Sequence, residues 1–134
     1  MKILKTVDEV RSQVKAWKKE GLSVGLVPTM GYLHEGHQSL IRKSVEQNDR
    51  TVVSVFVNPM QFGPTEDLES YPRDLDADAK LCETTGADVI FHPEPEEMYL
   101  PDYSTFVDMR TLTDVLCGKT RPIHFSGVCT VVSK

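Results

Sequence analysis

The sequence predicts an α/β protein with a parallel, doubly wound sheet, and two observations support that fold class. Strand-like apolar runs occur at residues 22–27, 51–57 and 87–92, and the run at 51–57 is β-branched and almost continuously apolar, as expected of a parallel strand that is covered on both faces. Helical patterns separate these runs, so the order β-α-β-α-β implies right-handed crossovers within one sheet.

An amphipathic helix is predicted before the first strand, between Thr6 and Gly21. Residues 6–9 have the form of a capping box, and Gly21 supplies a stop. The apolar residues that recur at helical spacing are Val7, Val10, Val14 and Trp17. We interpret Trp17 as part of the core rather than as a platform for a ligand.

Another helix is predicted after the second strand. It lies between Pro72, which suits a first helical position, and Gly86, which ends it. Its apolar stripe consists of Leu75, Ala79 and Cys82. The acidic residues Asp74, Asp76 and Asp78 alternate along this helix, and alternate residues on a helix do not converge. We therefore predict a solvent-exposed face matched to the helix dipole rather than a metal site.

The pattern weakens after the third strand. Residues 94–101 are acidic and contain prolines, residues 104–109 are compatible with an edge strand, and residues 112–117 with a short helix. The stretch 127–134 is strand-like by propensity but short enough to begin a helix. It has no polar tail, cap or stop residue. We therefore expect residues 1–134 to be one incomplete domain, cut before its later strands.

Composition narrows the function classes. A net charge of −5 and a pI near 5.3 disfavour a nucleic-acid surface, which needs a basic patch. No segment approaches the roughly 18 consecutive apolar residues of a membrane span. The charged first ten residues lack the apolar stretch of a secretory signal, so a cytoplasmic protein is expected. We interpret the three cysteines as reduced, mostly buried small residues: Cys82, Cys117 and Cys129.

The stretch 28–37 carries the most specific chemical signal. It lies between the first strand and a second predicted helix, and it contains His34-Glu35-Gly36-His37. The two histidines should share a face of the first helical turn. Two imidazole N–H donors, together with free backbone N–H groups at a helix start, can bind the phosphates of a nucleotide. The alternative is that His34 is a helix cap and His37 a surface residue.

Other nucleotide and hydrolase motifs are missing from the sequence. It contains no Walker-type glycine-Lys-Ser/Thr motif, no Gly-x-Gly-x-x-Gly and no serine nucleophile elbow. P-loop hydrolysis, dinucleotide-dependent redox chemistry and α/β-hydrolase chemistry therefore lose support, and nucleotidyl transfer remains as the candidate reaction. In this reaction positioning and charge stabilisation do most of the catalytic work.

Four ordered blocks resemble the pantothenate synthetase (pantoate–β-alanine ligase) family. They are Pro28-Thr29-Met30-Gly31 with His34-Glu35-Gly36-His37, then Val57-Asn58-Pro59-Met60-Gln61-Phe62-Gly63-Pro64, then Tyr71-Pro72-Arg73, and finally Arg121-Pro122-Ile123-His124-Phe125-Ser126-Gly127-Val128. The resemblance runs through the whole chain. The His-x-Gly-His tetrapeptide alone is shared by the wider superfamily of nucleotidyltransferases and class I aminoacyl-tRNA synthetases.

The resemblance implies a Rossmann-like fold and a two-step reaction that uses ATP and Mg²⁺. Pantoate carboxylate attacks the α-phosphate to give pantoyl adenylate and pyrophosphate, and β-alanine then displaces AMP to form pantothenate. It implies an N-terminal nucleotide-binding domain without the family's C-terminal lid domain, since the family's chains are about twice as long. We expect weak or absent turnover from this length of chain.

The resemblance also assigns residues. The ATP-binding residues are Met30, Gly31, Tyr32, Leu33, His34, Glu35, Gly36 and His37. His34 and His37 contact the phosphates as the catalytic pair, with His37 the candidate proton donor. Pantoate is assigned to Pro28, Thr29, Met30 and Gln61, and Gln61 also helps to position β-alanine. No metal-ligating side chains are expected.

Several features stay open at this point. Tyr32 stands where the family commonly has a smaller residue. Arg73, Arg121 and His124 either brace loops or contact substrate, and we interpret His92 as structural.

An uncovered sheet edge favours pairing with another chain, and we expect a homodimer. The alternatives to a ligase are a binding fragment without turnover and another nucleotidylyltransferase with a different second substrate.

Overall fold

A four-stranded parallel sheet organises the structure, a computed structural model that describes residues 1–59, 72–101, 128 and 130–132. In chain order its elements are β1 (Lys2–Leu4), α1 (Val7–Lys19), β2 (Val24–Thr29), α2 (Glu35–Gln47), β3 (Arg50–Val55), α3 (Leu75–Thr85), β4 (Val89–Phe91) and α4 (Pro95–Met98). The predicted α/β class, its parallel strands and its three long helices are confirmed, although α3 begins at Leu75 after the N-cap Asp74 and not at Pro72.

The strand order is β1-β4-β3-β2, and every neighbouring pair is parallel. The strand β1 has no counterpart in the prediction, because its three residues are too few for a hydrophobic period and two of them are exposed. It pairs with β4, so that Ile3 lies opposite Ile90.

The strand β2 lies at an edge of the sheet as far as the structure describes it. The prediction of a buried strand is therefore wrong for one of its faces, where Leu26 is 59% exposed and Pro28 is also exposed. Proline has no N–H to donate to a sheet ladder, which suits an edge position. The buried strand is β3, which is flanked by β2 and β4.

Apolar clusters cover both faces of the sheet. On one face, Ile41 of α2 and Cys82 of α3 pack with residues of β2, β3 and β4. On the other face, Trp17 of α1 packs with Val52 and Val89. Trp17 is 9% exposed, which confirms its interpretation as a core residue.

The described residues fall into two compact units. The first contains residues 1–57 and 72–97, including the sheet; the second includes residues 58–59, 98–101, 128 and 130–132. In the second unit the Tyr99 hydroxyl donates to Asn58 Oδ1 at 2.7 Å, and Thr130 is buried. Residues 128 and 130–132 are helical, in agreement with the helical alternative for 127–134.

Some predicted features lie outside the described residues: the edge strand at 104–109, the short helix at 112–117, Cys117 and Cys129. Cys82 is buried, as predicted. Among the helices that the structure describes, none combines the length and the apolar character that crossing a membrane requires.

Candidate functional site

His34 and His37 together close the N-terminus of α2. His34 is the N-cap residue, and its Nδ1 accepts the backbone N–H of Gly36 at 3.0 Å. His37 Nδ1 accepts the backbone N–H of His34 at 3.2 Å, and the two ring centroids lie 4.1 Å apart. The predicted shared face is therefore present. The pair forms a reciprocal capping box in which imidazoles replace the usual hydroxyl and carboxylate.

This geometry fixes the tautomer of both rings. Because each Nδ1 accepts an N–H, the proton of each neutral ring is on Nε2. Burial lowers the pKa of His37, the neighbouring His34 lowers it further, and Asp78 opposes both effects. His37 is therefore neutral at pH 7 and can offer its Nε2–H as an uncharged donor.

The turn between β2 and α2 has an unusual backbone. Gly31 has φ +83° and Tyr32 has φ +53°, both in the left-handed region. Glycine adopts this region freely, whereas a residue with a side chain pays roughly 1–2 kcal/mol. The Gly31 N–H donates to Thr29 Oγ1 at 3.2 Å, and the Thr29 hydroxyl donates to the Ser54 carbonyl at 2.9 Å. The strained position of Tyr32 must be compensated by contacts elsewhere in the turn.

Asp78 supplies that compensation. Its side chain is 3% exposed; Oδ2 accepts the N–H of Tyr32 at 2.9 Å, and Oδ1 accepts the N–H of Leu33 at 2.8 Å. The prediction of a solvent-exposed acidic face is therefore wrong for Asp78. It is correct for Asp76, which is exposed, while the exposed Asp74 is the N-cap of α3 and accepts the Ala77 N–H at 3.1 Å.

The sequence did contain a signal for Asp78. It follows Leu75 by three residues and precedes Cys82 by four, which places it within the buried stripe of α3 rather than opposite it. A carboxylate on an apolar stripe needs hydrogen-bond donors from a neighbouring element. The donors come from the turn that carries the histidine motif.

The expectation of free backbone N–H groups at the helix start is correct for Glu35, whose N–H group has no acceptor among the described residues, and wrong for Gly36. Within this stretch the backbone N–H groups of five residues donate to side chains of the protein: Gly31, Tyr32, Leu33, His34 and Gly36. An incoming anion at the start of α2 would therefore meet imidazole Nε2–H donors, the helix dipole and the N–H group of Glu35.

A pocket of about 300 Å³ lies at the carboxyl ends of β2, β3 and β4, beside the start of α3. This is where open α/β sheets bind ligands. Met30, Arg73 and Glu94 are among its lining residues, whereas neither His34 nor His37 lines it. His92 also lines it and donates from Nδ1 to the Val55 carbonyl at 2.8 Å, a bond between strand ends that agrees with its structural interpretation.

The described residues include only part of the predicted site. Pro28 and Thr29 end β2, and Met30 to His37 form the turn and the start of α2. Gln61, Arg121 and His124 lie outside the described residues. The assignment of Gln61 to pantoate and β-alanine stays a prediction.

Comparison with known proteins identifies the family to which the chain belongs. The sequence model of the family described as Pantoate-beta-alanine ligase matches residues 2–134. This chain belongs to the pantoate-β-alanine ligase family. Pantothenate synthetases from Enterococcus faecalis and Ruminiclostridium cellulolyticum are each 66% identical to it over 134 residues, and it covers 48% and 47% of them. The chain thus spans about half the length of these relatives.

Solved structures of the family have the same fold. The crystal structure of the Thermus thermophilus enzyme has a TM-score of 0.88 and 46% identity, and the match covers 99% of this chain and 47% of that one. The Francisella tularensis ligase, complexed with Beta-gamma ATP and Beta-alanine, has a TM-score of 0.91 and 37% identity, with coverages of 99% and 51%. The parallel α/β sheet is therefore of the Rossmann-like type expected from the sequence.

Proposed function

We propose that this chain is the N-terminal, nucleotide-binding part of a ligase that condenses pantoate with β-alanine, using ATP, to give pantothenate. The observation that carries the proposal is the reciprocal imidazole cap of His34 and His37 at the start of α2, in a chain of the pantoate-β-alanine ligase family. The Francisella relative, complexed with Beta-gamma ATP and Beta-alanine, supports the choice of ATP and β-alanine as substrates.

In the proposed first step, a pantoate carboxylate oxygen attacks the α-phosphorus of ATP. The bond from that phosphorus to the bridging oxygen breaks, and pyrophosphate leaves. His34 and His37 contact the phosphates through Nε2–H, where a fixed donor stabilises charge as it moves onto the leaving group. His37 is the candidate proton donor from the resemblance; because its lowered pKa leaves it neutral at pH 7, we assign it hydrogen-bond donation through Nε2–H rather than transfer of the proton. The remaining ATP contacts are assigned to Met30, Gly31, Tyr32, Leu33, Glu35 and Gly36.

In the proposed second step, the β-alanine amine attacks the acyl carbon of pantoyl adenylate. The acyl–phosphate bond breaks, AMP leaves, and the amine loses a proton. Pantoate is assigned to Pro28, Thr29, Met30 and Gln61, and Gln61 also positions β-alanine. The Thr29 hydroxyl already bonds to Ser54 and Gly31, so we assign its contact with pantoate to packing rather than to hydrogen bonding.

Mg²⁺ belongs to this proposal as part of the MgATP substrate. Among the residues that the structure describes, no three His, Cys, Asp or Glu side chains converge as a metal site. We propose that phosphate oxygens and water hold the ion, as they commonly do for Mg²⁺ at nucleotides. We further propose a cytoplasmic homodimer; the edge position of β2 is compatible with pairing between chains.

A second candidate function is binding without turnover. It applies to residues 1–134 taken by themselves, which span about half the length of the relatives. Losing phosphate-stabilising groups typically costs several kcal/mol of barrier. A nucleotidylyltransferase outside this family is disfavoured by the family match over residues 2–134.

Calorimetric titration with MgATP and pantoate tests the site assignment. We expect heat from the wild-type chain and its loss from the double variant His34→Ala, His37→Ala, with Glu46→Ala at the far end of α2 as control. Equal heats from the wild-type and double-variant proteins would reject the site. Assaying AMP formation after addition of β-alanine then separates the ligase from the binding-only candidate, because turnover contradicts the latter.

A further inference from the structure

Asp78 connects α3 to the turn that precedes α2. Its carboxylate is buried, and each oxygen accepts one backbone N–H of that turn, from Tyr32 at 2.9 Å and from Leu33 at 2.8 Å. Hydrogen bonds to an ionised group are about twice as strong as neutral ones, and an unpaired buried charge is costly. The carboxylate is therefore a strong restraint on these two residues.

The restraint acts where the backbone most needs it. Gly31 and Tyr32 are both left-handed, and a Cβ built at Gly31 would lie 3.1 Å from Asp78 Oδ2. Leu33 directly precedes His34, whose ring caps α2. The position of the carboxylate thus sets the direction in which the chain enters α2, and with it the position of both imidazoles.

We infer that Asp78 is a positioning residue of the nucleotide site: through Tyr32 and Leu33 it holds the turn in the conformation that directs His34 and His37 toward the phosphates. This inference rests on the proposed function, in which phosphate is what the histidines bind. We do not assign Asp78 as a phosphate ligand, because a carboxylate has no donor to offer a phosphate oxygen; its two oxygens accept the backbone N–H groups of the turn.

The charge of Asp78 also acts directly on the histidine pair. It raises the pKa of His37, against burial and the neighbouring His34, which both lower it. His34 comes from the cap of α2 and Asp78 from α3, so the two titratable groups act on His37 from different elements. Because this effect is coulombic, it reports that the Asp78 carboxylate lies close to His37.

The variant Asp78→Asn tests the inference. Its amide keeps the size of the side chain but accepts only through Oδ1, while its NH₂ group faces the second backbone N–H. Asp76→Asn is the matched control, because it removes the same charge from an exposed residue of the same helical turn. We expect Asp78→Asn to weaken MgATP binding by about 10- to 100-fold, as misplacement of a binding group does, and Asp76→Asn to leave it unchanged.

NMR supplies the readout that is independent of ATP. In Asp78→Asn the pKa of His37 should fall, and the amide protons of Tyr32 and Leu33 should exchange faster with solvent. In Asp76→Asn both should match the wild type. Unchanged His37 titration and amide exchange in Asp78→Asn, or equal effects in both variants, would overturn the inference, as would wild-type affinity for MgATP in Asp78→Asn.

The two proposals fail in different ways. If the wild-type chain binds no MgATP, the proposed function fails, and the NMR comparison alone decides whether Asp78 holds the turn. If Asp78→Asn does not fold, Gly31→Ala tests the same contact, because the added Cβ would lie 3.1 Å from Asp78 Oδ2 and no charge is changed. Gly31→Ala should accelerate the exchange of the Tyr32 and Leu33 amide protons with solvent and reduce the MgATP affinity. Wild-type exchange rates together with wild-type affinity would overturn the inference.

Discussion

The Nδ1 atom of His37 accepts the backbone N–H of His34 at 3.2 Å, while His34 Nδ1 accepts the N–H of Gly36. The two alternatives that the sequence left open, helix cap or phosphate ligand, are therefore compatible. Each ring uses Nδ1 for the cap and keeps Nε2 for a ligand. Stability and binding can be separated by a substitution that keeps a hydrogen-bond acceptor in the position of Nδ1 but removes the Nε2–H donor.

The first prediction separates the two roles of His34. His34→Ala removes the N-cap and should lower the free energy of unfolding by about 1 kcal/mol, whereas His34→Asn should retain it, since asparagine is a preferred N-cap residue. Neither variant has an Nε2–H, so both should lose MgATP affinity. Urea denaturation and calorimetry measure the two quantities, and full affinity in His34→Asn would contradict the assigned role.

The second prediction concerns pH. The folded state holds the pKa of His37 below its ordinary value of 6.5, so the unfolded chain binds the proton more tightly. The contribution of His37 to stability is thus fully present above that value and is lost as the pH falls through the folded pKa. The urea concentration at the midpoint of unfolding should therefore be lower at pH 5 than at pH 7.5.

The matched variant for this pH dependence is His37→Gln. Glutamine at this position still accepts the His34 N–H, as in an ordinary capping box, but does not titrate. Its urea midpoint should fall less over the same pH interval than that of the wild type. Parallel curves for the two proteins would show that other groups cause the dependence.

The third prediction concerns Gly36. A Cβ at this residue would lie 2.8 Å from His34 Cε1 and 3.0 Å from its Nδ1, so Gly36→Ala should displace the His34 ring. Alanine favours a helix by about 1 kcal/mol over glycine, which offsets a similar loss from the cap. We expect nearly unchanged stability with MgATP affinity reduced about tenfold or more. Gln47→Ala, at the other end of α2, serves as control.

The fourth prediction concerns Cys82. Burial, and to a lesser extent Asp78, raises the pKa of its thiol to about 11. The thiolate is the reactive form, so alkylation of native protein at pH 8 should be slow at Cys82 and should accelerate in urea in step with unfolding. Peptide mass spectrometry distinguishes Cys82 from Cys117 and Cys129. Rapid modification of Cys82 in the native protein would contradict its burial.

The sequence was sufficient for features that depend on periodicity or on a local motif. The 3.6-residue pattern located α1 and placed Trp17 in the core, and the spacing of His34 and His37 predicted their shared face. Both signals are local, since each depends on residues within one or two turns.

Features that depend on a partner distant in sequence were missed. The strand β1 is recognisable only through its pairing with β4, and the exposure of Leu26 follows from the edge position of β2 rather than from its residues. Asp78 lay within an apolar stripe, but its donors, Tyr32 and Leu33, come from a turn more than forty residues earlier. Such pairings follow from the topology of the sheet, which a single sequence specifies only indirectly.

The pairing of β1 with β4 also affects how the chain folds during synthesis. Ile3 is made first, yet its partner Ile90 leaves the ribosome roughly 90 residues later, a delay on the order of 5 to 20 seconds at ordinary translation rates. Until then β3 lacks one neighbour and β1 has none, so backbone groups of both strands are exposed to other nascent chains. The interval before β4 emerges is therefore the stage of synthesis at which both strands can pair with another chain.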